Sequence, residues 1–306
     1  MGMFINGEWH IQDVNPETQS GAFERLPTTI RQSISLDSKF KPESNRYHLI
    51  VSYACPWAHR TLIVRAIKGL TSHIPVAVAH PTMGEYGWDF APYDGVIPPT
   101  FGHYPRLGDV YLAHDNVFTG RVTVPVLWDT HTNQIVNNES SEIIRLFNQS
   151  FNELTGNSIN LYPDHLKDAI DEWNHRTYEP INNGVYKVGF ARNQNVHDDA
   201  VTTLFQTLDA CDAHLEHHPY LCGDTLTEAD IRLFVTLLRF DPVYVGHFKC
   251  NLRRIKDYTN LSAYIDRVRH SHDIEDTIDM DHIKGHYYTS HPTINPSGIV
   301  PLGPIP

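Results

Sequence analysis

Cys55, followed directly by Pro56, constrains the fold of this chain more than any other feature. An apolar run at 47–52 predicts a buried strand before this pair, and apolar residues recur at helical spacing from 56 to 69 after it. Proline suits the first position of a helix, because its missing N–H would have had no partner there. The sequence therefore predicts that Cys55 lies at a helix N-terminus.

This position favours a reactive thiol. Free N–H groups and the positive end of the helix dipole stabilise a negative charge, and such a placement lowers a thiol pKa from about 8.5 into a range of about 3.5–7.5. The alternative is a small, buried and inert residue, since free cysteines are usually buried. The order of strand, Cys-Pro and helix favours the reactive thiol.

No second cysteine stands where it could resolve a mixed disulfide on Cys55. The position three residues on is Ala58, while Cys211, Cys222 and Cys250 are far away in the sequence. A dithiol oxidoreductase needs the second thiol for an intramolecular attack. The pattern indicates monothiol chemistry, in which an external thiol completes the reaction.

Composition limits the compartment and the partners. The 306 residues suffice for two modest domains, and the net charge of −12 argues against nucleic acid or an anionic membrane as the main partner. No apolar run is long enough for a membrane span, and the first residues do not resemble a signal peptide. Four scattered cysteines do not suggest a disulfide framework, so we expect a cytoplasmic protein.

The histidines are numerous but dispersed. His282 and His286 stand one helical turn apart, without an HExxH pattern and without an obvious third ligand. A solvated helix face is therefore predicted for this pair rather than a metal site, and no metal is expected.

The first half of the chain has an α/β pattern. Residues 1–45 are polar and predict an extended arm, and 74–79 predict a second strand after the helix. A helix between two short apolar strands is a βαβ unit with parallel strands. A loop of more than twenty residues follows this strand, and we call it the aromatic loop because it contains Trp88, Phe90, Tyr93, Phe101 and Tyr104. Its aromatic content favours a function for the loop.

An antiparallel strand pair is predicted at 124–128 and 134–137, and a helix starts near Glu139. This β-α-β, β-β-α order is that of the thioredoxin-like module. Pro125 stands where that fold keeps a cis-proline, and an ordinary trans proline on an edge strand is the alternative.

The second half is predicted to be helical from about residue 160. Thr227 and Asp230 form a potential capping box, with a hydrophobic staple from Leu226 and Ile231. The fold class is thus α/β plus all-α. The predicted ranges are an N-terminal extension at 1–45, a thioredoxin-like domain at 46–150, an all-helical domain at 160–290 and a C-terminal tail at 291–306.

A thioredoxin-like domain followed by such a helical domain resembles a cytosolic glutathione transferase. Several long motifs, in order, resemble more narrowly the glutathionyl-hydroquinone reductases, the Xi class of these transferases. The motifs lie at 53–60, 121–129, 138–141, 182–191, 285–291 and 294–301. The resemblance spans roughly residues 45–303.

The resemblance implies a reaction and its partners. Cys55 would attack the thioether sulfur of a glutathionylated aromatic hydroquinone, releasing the hydroquinone and leaving glutathione in a mixed disulfide. A second glutathione, as co-substrate, would then release oxidised glutathione. Members of this family pair through the helical half, so a homodimer is expected.

The resemblance also implies a glutathione site. Val124, before the expected cis-Pro125, would pair its backbone with the cysteinyl part of glutathione. Ser140 and its amide would hold the γ-glutamyl carboxylate, and Glu139 the ammonium. The alternative for Glu139 is a favourable acid in the first helical turn.

Two further residues complete that site. Arg121 would pair with the glycyl carboxylate, and Trp88 would cover the tripeptide. A surface charge and a loop anchor are their respective alternatives.

Tyr186 and Tyr287 are predicted to bind the hydroquinone oxygens, since a phenol offers a ring and a hydroxyl to an aromatic diol. Ordinary core tyrosines are the alternative. Only one of Tyr287 and Tyr288 should face the site, because neighbours on a helix diverge by about 100°.

Two other functions remain open from the sequence. An omega-type glutathione transferase would share the Cys55 chemistry but act on small disulfides or dehydroascorbate. A transferase-like binding module would have no chemistry, and it would need no thiol at the helix start.

Overall fold

The computed structural model of the protein describes residues 2–11 and 21–304. These residues form two compact units. The first unit contains 2–11, 26–159 and 276–290, and the second contains 21–25, 160–275 and 291–304. The first unit thus takes in 276–290, which the sequence-based ranges assign to the helical domain. Those domain ranges stay a prediction.

The elements are numbered along the chain. The strands are β1 (Gly2–Ile5), β2 (Glu8–Ile11), β3 (Tyr47–Val51), β4 (Val76–Val78), β5 (Gly120–Arg121), β6 (Val126–Asp129) and β7 (Gln134–Asn137). The helices are α1 (Pro56–Ile67), α2 (Leu107–His114), α3 (Ser140–Gln149), α4 (Asn152–Thr155), α5 (Lys167–Thr177), α6 (Gly184–Gly189), α7 (Gln194–Leu215), α8 (Glu228–Leu237), α9 (Thr259–Arg269) and α10 (Met280–Ser290). All strands belong to the first unit, as do α1–α4 and α10.

The central sheet of the first unit has the order β4-β3-β6-β7. All residues of β3 are buried, as expected for a central strand. β4 is parallel to β3, β6 is antiparallel to it, and β7 pairs antiparallel with β6. The predicted βαβ unit and the predicted strand pair are both confirmed, and with them the thioredoxin-like fold of this unit.

Helix α1 ends as its sequence predicts. Gly69 has a φ of +69°, a left-handed conformation that glycine adopts at low cost. The N–H of Leu70 donates to the carbonyl of Arg65 and that of Gly69 to Ala66, each at 2.9 Å. These two hydrogen bonds satisfy carbonyl groups of the last helical turn.

The N-terminal residues form a hairpin that the sequence analysis missed. β1 and β2 pair antiparallel across Asn6-Gly7, whose φ values are 49° and 81°, and β5 adds to the other edge of β1. An Asn-Gly pair between short strands is a strong hairpin signal, because both turn positions need a positive φ. The expectation of an extended arm is therefore wrong at 2–11, and residues 12–20 lie outside the described part of the chain.

The described part of the second unit is helical from α5 to α9, with a non-helical tail at 291–304. Thr227 and Asp230 form the predicted capping box at the start of α8. Tyr186 lies within α6 and not at the end of α5. A π-helical turn at Tyr178–Asn182 separates α5 from α6, and it contains Pro180, which cannot donate the N–H that a continuous α-helix requires.

Among the helices of the described residues, none is both long enough and apolar enough to cross a membrane.

Candidate active site

Cys55 immediately precedes α1, with extended backbone angles of φ −75° and ψ 119°. Pro56 takes the first helical position, and the first turn contains no acidic residue that would compete for the helix end. The side chain of Cys55 is half-buried. The predicted position of this cysteine at a helix N-terminus is confirmed, and the dipole there favours an anion.

A cis peptide bond joins Val124 to Pro125, as predicted from the position of this proline. The Sγ of Cys55 lies 3.7 Å from the carbonyl oxygen of Val124, to which the thiol donates. β6, which follows Pro125, pairs antiparallel with β3, which leads to Cys55. The sheet thus brings Cys55, Val124 and Pro125 together.

The other three cysteines lie in the second unit, at Cys211, Cys222 and Cys250. Burial raises the pKa of Cys211 to about 12 and that of Cys222 to about 11. Burial also raises the pKa of Cys250 far above the ordinary thiol value. These thiols are protonated at neutral pH and are therefore poor nucleophiles.

Glu139 caps the N-terminus of α3 with its own carboxylate. Oε1 accepts from the backbone N–H of Ser141 at 3.0 Å and from its hydroxyl at 2.9 Å, and Oε2 accepts from the hydroxyl of Thr28 at 3.0 Å. Burial opposes the charge, but these hydrogen bonds and the charge of Arg60 outweigh it, so the pKa of Glu139 is lowered. Ser140, the first residue of the helix, is buried beside it.

Tyr111 bonds both to the segment before Val124 and to the segment before Glu139. The sequence did not predict this role. The hydroxyl of Tyr111 donates to the carbonyl of Thr123 at 2.9 Å and accepts from the side-chain amide Nδ2 of Asn138 at 3.1 Å. Thr123 precedes Val124, and Asn138 precedes Glu139. No local pattern marks Tyr111, because its partners stand 12 and 27 positions away.

Trp88 is buried, with 6 % of its surface exposed. Its ring stacks on the ring of His286 from α10, at a centroid distance of 4.7 Å. Its carbonyl accepts from the N–H of Leu107 at 2.9 Å, which ties the loop to the start of α2.

The prediction of a solvated helix face for His282 and His286 is wrong. Only 2 % of His282 and 8 % of His286 is exposed. The Nε2 of His282 lies 2.6 Å from the carbonyl oxygen of Asp94, and the Nδ1 of His286 lies 2.8 Å from that of Pro81. A carbonyl can only accept, so each of these ring nitrogens carries a hydrogen and donates it. Both histidines bind the aromatic loop.

Arg121 lies in β5, where its backbone pairs with Met3 of β1. It is half-buried and stands three residues before Val124 in the chain. Its role toward a glycyl carboxylate stays a prediction.

The predicted tyrosines lie in different units. Tyr287 of α10 is in the first unit, with 1 % exposed, whereas its neighbour Tyr288 is partly exposed and burial raises its pKa. Tyr186 of α6 is in the second unit, where its ring stacks on Phe23 at a centroid distance of 6.0 Å and the guanidinium of Arg25 lies 4.9 Å from it. Their roles toward a substrate stay predictions.

The described residues contain no group of three or more histidine, cysteine or acidic side chains arranged to hold a metal ion.

A thioredoxin-like unit with a cis-proline beside the start of its first helix, followed by an all-helical unit, is the architecture of the glutathione transferases. Two sequence profiles of that class match the chain. Residues 54–150 match "Glutathione S-transferase, N-terminal domain", and residues 194–267 match "Glutathione S-transferase, C-terminal domain".

The similarity to individual proteins is narrower. The chain is 48 % identical over 304 residues to the glutathionyl-hydroquinone reductase PcpF of Sphingobium chlorophenolicum, covering 99 % of this chain and 96 % of that protein. The crystal structure of a glutathione transferase Xi from Phanerochaete chrysosporium is 50 % identical, with a TM-score of 0.92 and coverage of 94 % and 95 % of the two chains. This protein belongs to the glutathionyl-hydroquinone reductases, the Xi class of glutathione transferases.

A further structure was solved with glutathione bound. It is that of YqjG, a glutathione transferase homologue from Escherichia coli K-12. It is 44 % identical, with a TM-score of 0.91, and the match covers 100 % of this chain and 96 % of that one.

Proposed function

We propose that this protein reduces S-glutathionyl-hydroquinones to free hydroquinones, with glutathione as the reductant and Cys55 as the nucleophile. The observation that carries the proposal is the position of Cys55 at the start of α1, with its Sγ 3.7 Å from the carbonyl oxygen before the cis-proline. Ala58 takes the place of a resolving thiol.

The first step forms a sulfur–sulfur bond and breaks a carbon–sulfur bond. The thiolate of Cys55 attacks the thioether sulfur, and the electron pair of the broken bond goes to the hydroquinone carbon, which takes up a proton. The hydroquinone ring carbon is reduced, and glutathione remains on Cys55 in a mixed disulfide.

The second step restores the enzyme. The thiolate of a second glutathione attacks the glutathione sulfur of the mixed disulfide, and Cys55 leaves as a thiolate. Oxidised glutathione is the product, so two glutathione sulfurs are oxidised for each carbon that is reduced. An external thiol is required, because Ala58 stands where a resolving cysteine would be and burial raises the pKa of each of the other three cysteines.

Glutathione itself would bind to groups of the first unit. The backbone of Val124 would pair with its cysteinyl part, the N-terminus of α3 at Ser140 would hold its γ-glutamyl carboxylate, and Glu139 would accept from its ammonium. The lowered pKa of Glu139 fits this role, since an ionised carboxylate is the better partner for a cation. Arg121 and Trp88 would complete the site.

The protein is also proposed to be a cytoplasmic homodimer. Its four cysteines are free thiols, which suits a reducing compartment.

The proposal is tested with a glutathionylated naphthohydroquinone and glutathione. Release of the free hydroquinone with one oxidised glutathione per turnover is expected. Without the second glutathione, intact-mass analysis should show one glutathionyl group on the enzyme, and that group should be absent from Cys55→Ala. Turnover of dehydroascorbate or small mixed disulfides, without release of hydroquinone, would instead show an omega-type transferase. Glutathione binding without turnover of any of these compounds would show a binding module.

A further inference from the structure

A segment of the N-terminal region lies along β7, the edge strand of the central sheet. This segment, the N-terminal strap (residues 28–34), runs antiparallel beside β7, with Arg31 opposite Asn137. The N–H of Gln32 donates to the carbonyl of Val136 at 2.9 Å. The strap thus covers a strand edge that would otherwise expose unpaired backbone groups.

The strap is fixed by further bonds at both ends. Ile30 and Asn138 bond reciprocally. The N–H of Asn138 donates to the carbonyl of Ile30 at 3.0 Å, and its side-chain oxygen accepts from the N–H of Ile30 at 3.3 Å. The hydroxyl of Ser150 donates to the carbonyl of Ile34 at 2.8 Å, and Ile30 and Ile34 are both buried. The backbone of the strap is therefore held in one register.

In that register, Thr28 lies within hydrogen-bond distance of Glu139. The Oγ1 of Thr28 donates to Oε2 of Glu139 at 3.0 Å, while Oε1 is occupied by the N–H and hydroxyl of Ser141. The two carboxylate oxygens thus have different protein partners, one from α3 and one from the strap. Together these bonds fix the rotation of the carboxylate about its last side-chain bond.

We propose that Thr28 is a positioning residue for recognition of the γ-glutamyl ammonium of glutathione. This inference rests on the proposed role of Glu139. A carboxylate oxygen has two lone pairs, so Oε2 can accept from the hydroxyl of Thr28 and from an ammonium at the same time. Oε1 caps the helix, and Oε2, held by Thr28, is the oxygen that receives the ligand.

The strap consequently links the N-terminal region to glutathione affinity. Without the hydroxyl at position 28, the carboxylate of Glu139 keeps its bonds to Ser141 but loses the bond that sets the direction of Oε2. Ligand affinity falls, because the ammonium must then bind a carboxylate oxygen whose direction is less firmly fixed.

The central experiment compares Thr28→Val with Thr28→Ser. Valine has nearly the shape of threonine without the donor, and serine keeps the donor. We expect Thr28→Val to weaken glutathione binding about threefold to tenfold, the worth of one hydrogen bond, and Thr28→Ser to restore it. Turnover at saturating glutathione should stay near that of the wild type, because the reacting sulfur is untouched. Thr29→Val, at the exposed neighbouring position, is the matched control.

A second ligand separates positioning from a general loss of structure. N-acetylglutathione lacks the ammonium, so its affinity should be equally low for the wild type and for Thr28→Val. In a Glu139→Gln background, Thr28→Val should add nothing, since both changes act on the same contact. Thermal unfolding of each variant checks that the fold is intact.

The outcomes are distinguishable. If Glu139→Gln weakens glutathione binding and Thr28→Val does not, the inference on Thr28 is overturned and the proposed role of Glu139 stands. If Glu139→Gln itself leaves glutathione affinity unchanged, the proposed role of Glu139 fails. An equal loss for glutathione and N-acetylglutathione in Thr28→Val would make Thr28 a purely structural residue and overturn the inference.

Discussion

The ring of Trp88 lies nearly parallel to the ring of His286, with centroids 4.7 Å apart and an interplanar angle of 23°. The same histidine donates from Nδ1 to the carbonyl of Pro81 at 2.8 Å. Close by, the hydroxyls of Thr82 and Thr289 lie 2.7 Å apart. Helix α10, near the end of the chain, thus holds the aromatic loop at its start and at the residue proposed to cover glutathione.

His286→Leu should therefore weaken glutathione binding. The change removes a stacked ring and a hydrogen bond, each worth about 0.5–1.5 kcal/mol. Since Trp88 stays in the chain and is only less well held, we expect a rise in KM for glutathione of about threefold to tenfold with a smaller change in kcat. The tryptophan fluorescence spectrum should shift as well, and the shift should be absent when Trp88→Phe is the starting protein.

His103→Leu, at an exposed position of the same loop, is the control and should behave as the wild type. A wild-type KM in His286→Leu would show that α10 does not position Trp88 for binding.

Cys55 is expected to be the essential thiol. Cys55→Ala should abolish hydroquinone release, whereas Cys211→Ala, Cys222→Ala and Cys250→Ala should retain it, because those thiols are protonated at neutral pH. Steady-state turnover of a glutathionylated hydroquinone is the measurement, and mapping of alkylated cysteines at pH 7 adds an independent readout. Full activity in Cys55→Ala would refute the mechanism.

The features that could be predicted from the sequence are those with local signals. Cys55-Pro56 marks the start of α1 and Gly69 its end, because both depend on the backbone preferences of a few adjacent residues. The capping box at Thr227 is equally local. Pro125 required the order of the surrounding strands, which periodicity supplied.

The contacts that shape the site are long-range and carry no local signal. Thr28 and Glu139 stand 111 positions apart, and His286 and Pro81 stand 205 apart. Periodicity shows which residues are apolar or helical, but it does not show which loop meets which helix. The pattern therefore predicts a solvated residue at His286, although this residue is buried against the aromatic loop.

A buried ion pair is expected to stabilise the first unit. Arg46, just before β3, donates to both carboxylate oxygens of Asp129, at 2.7 and 3.0 Å, and both side chains are buried. Asp129→Asn leaves the buried guanidinium with the partly exposed Glu43, 3.3 Å from Nη1, as its acidic neighbour. We expect a loss of about 3–5 kcal/mol in the free energy of unfolding, measured with urea at pH 7. Replacing both residues, by Arg46→Met with Asp129→Leu, should recover much of that loss.

The loss of stability in Asp129→Asn should become smaller as the pH falls. Burial alone would raise the pKa of Asp129, but hydrogen bonds from Arg46, Thr132 and His131 outweigh it, so folding lowers this pKa. The stabilisation of the fold by the ionised carboxylate of Asp129 is thus present above the ordinary aspartate pKa of about 3.9, and it is lost as the pH falls below that value. The difference in the free energy of unfolding between the wild type and Asp129→Asn should be constant from about pH 8 to 5 and should narrow below about pH 4. A gap that widened in acid would contradict this interpretation.

The oligomeric state is predicted to be a homodimer. Light scattering at micromolar concentration should give twice the chain mass of 35.0 kDa. A measured mass of one chain would refute the prediction.

Tyr186 and Tyr287 are predicted to bind the hydroquinone oxygens, and the structure supplies a matched pair for the test. Tyr287 is buried at 1 % exposure, and Tyr288 beside it is partly exposed. Neighbours on a helix point about 100° apart, so one substitution should affect turnover and the other should not.

We expect Tyr186→Phe and Tyr287→Phe each to lower kcat about threefold to tenfold, the effect of one neutral hydrogen bond on a rate. Glutathione affinity should stay unchanged in both variants, because the lost hydroxyl contacts the hydroquinone and not the tripeptide. Tyr288→Phe should behave as the wild type. A loss confined to Tyr288→Phe would assign the role to the more accessible tyrosine, and unchanged kinetics in all three variants would mean that the hydroquinone binds elsewhere.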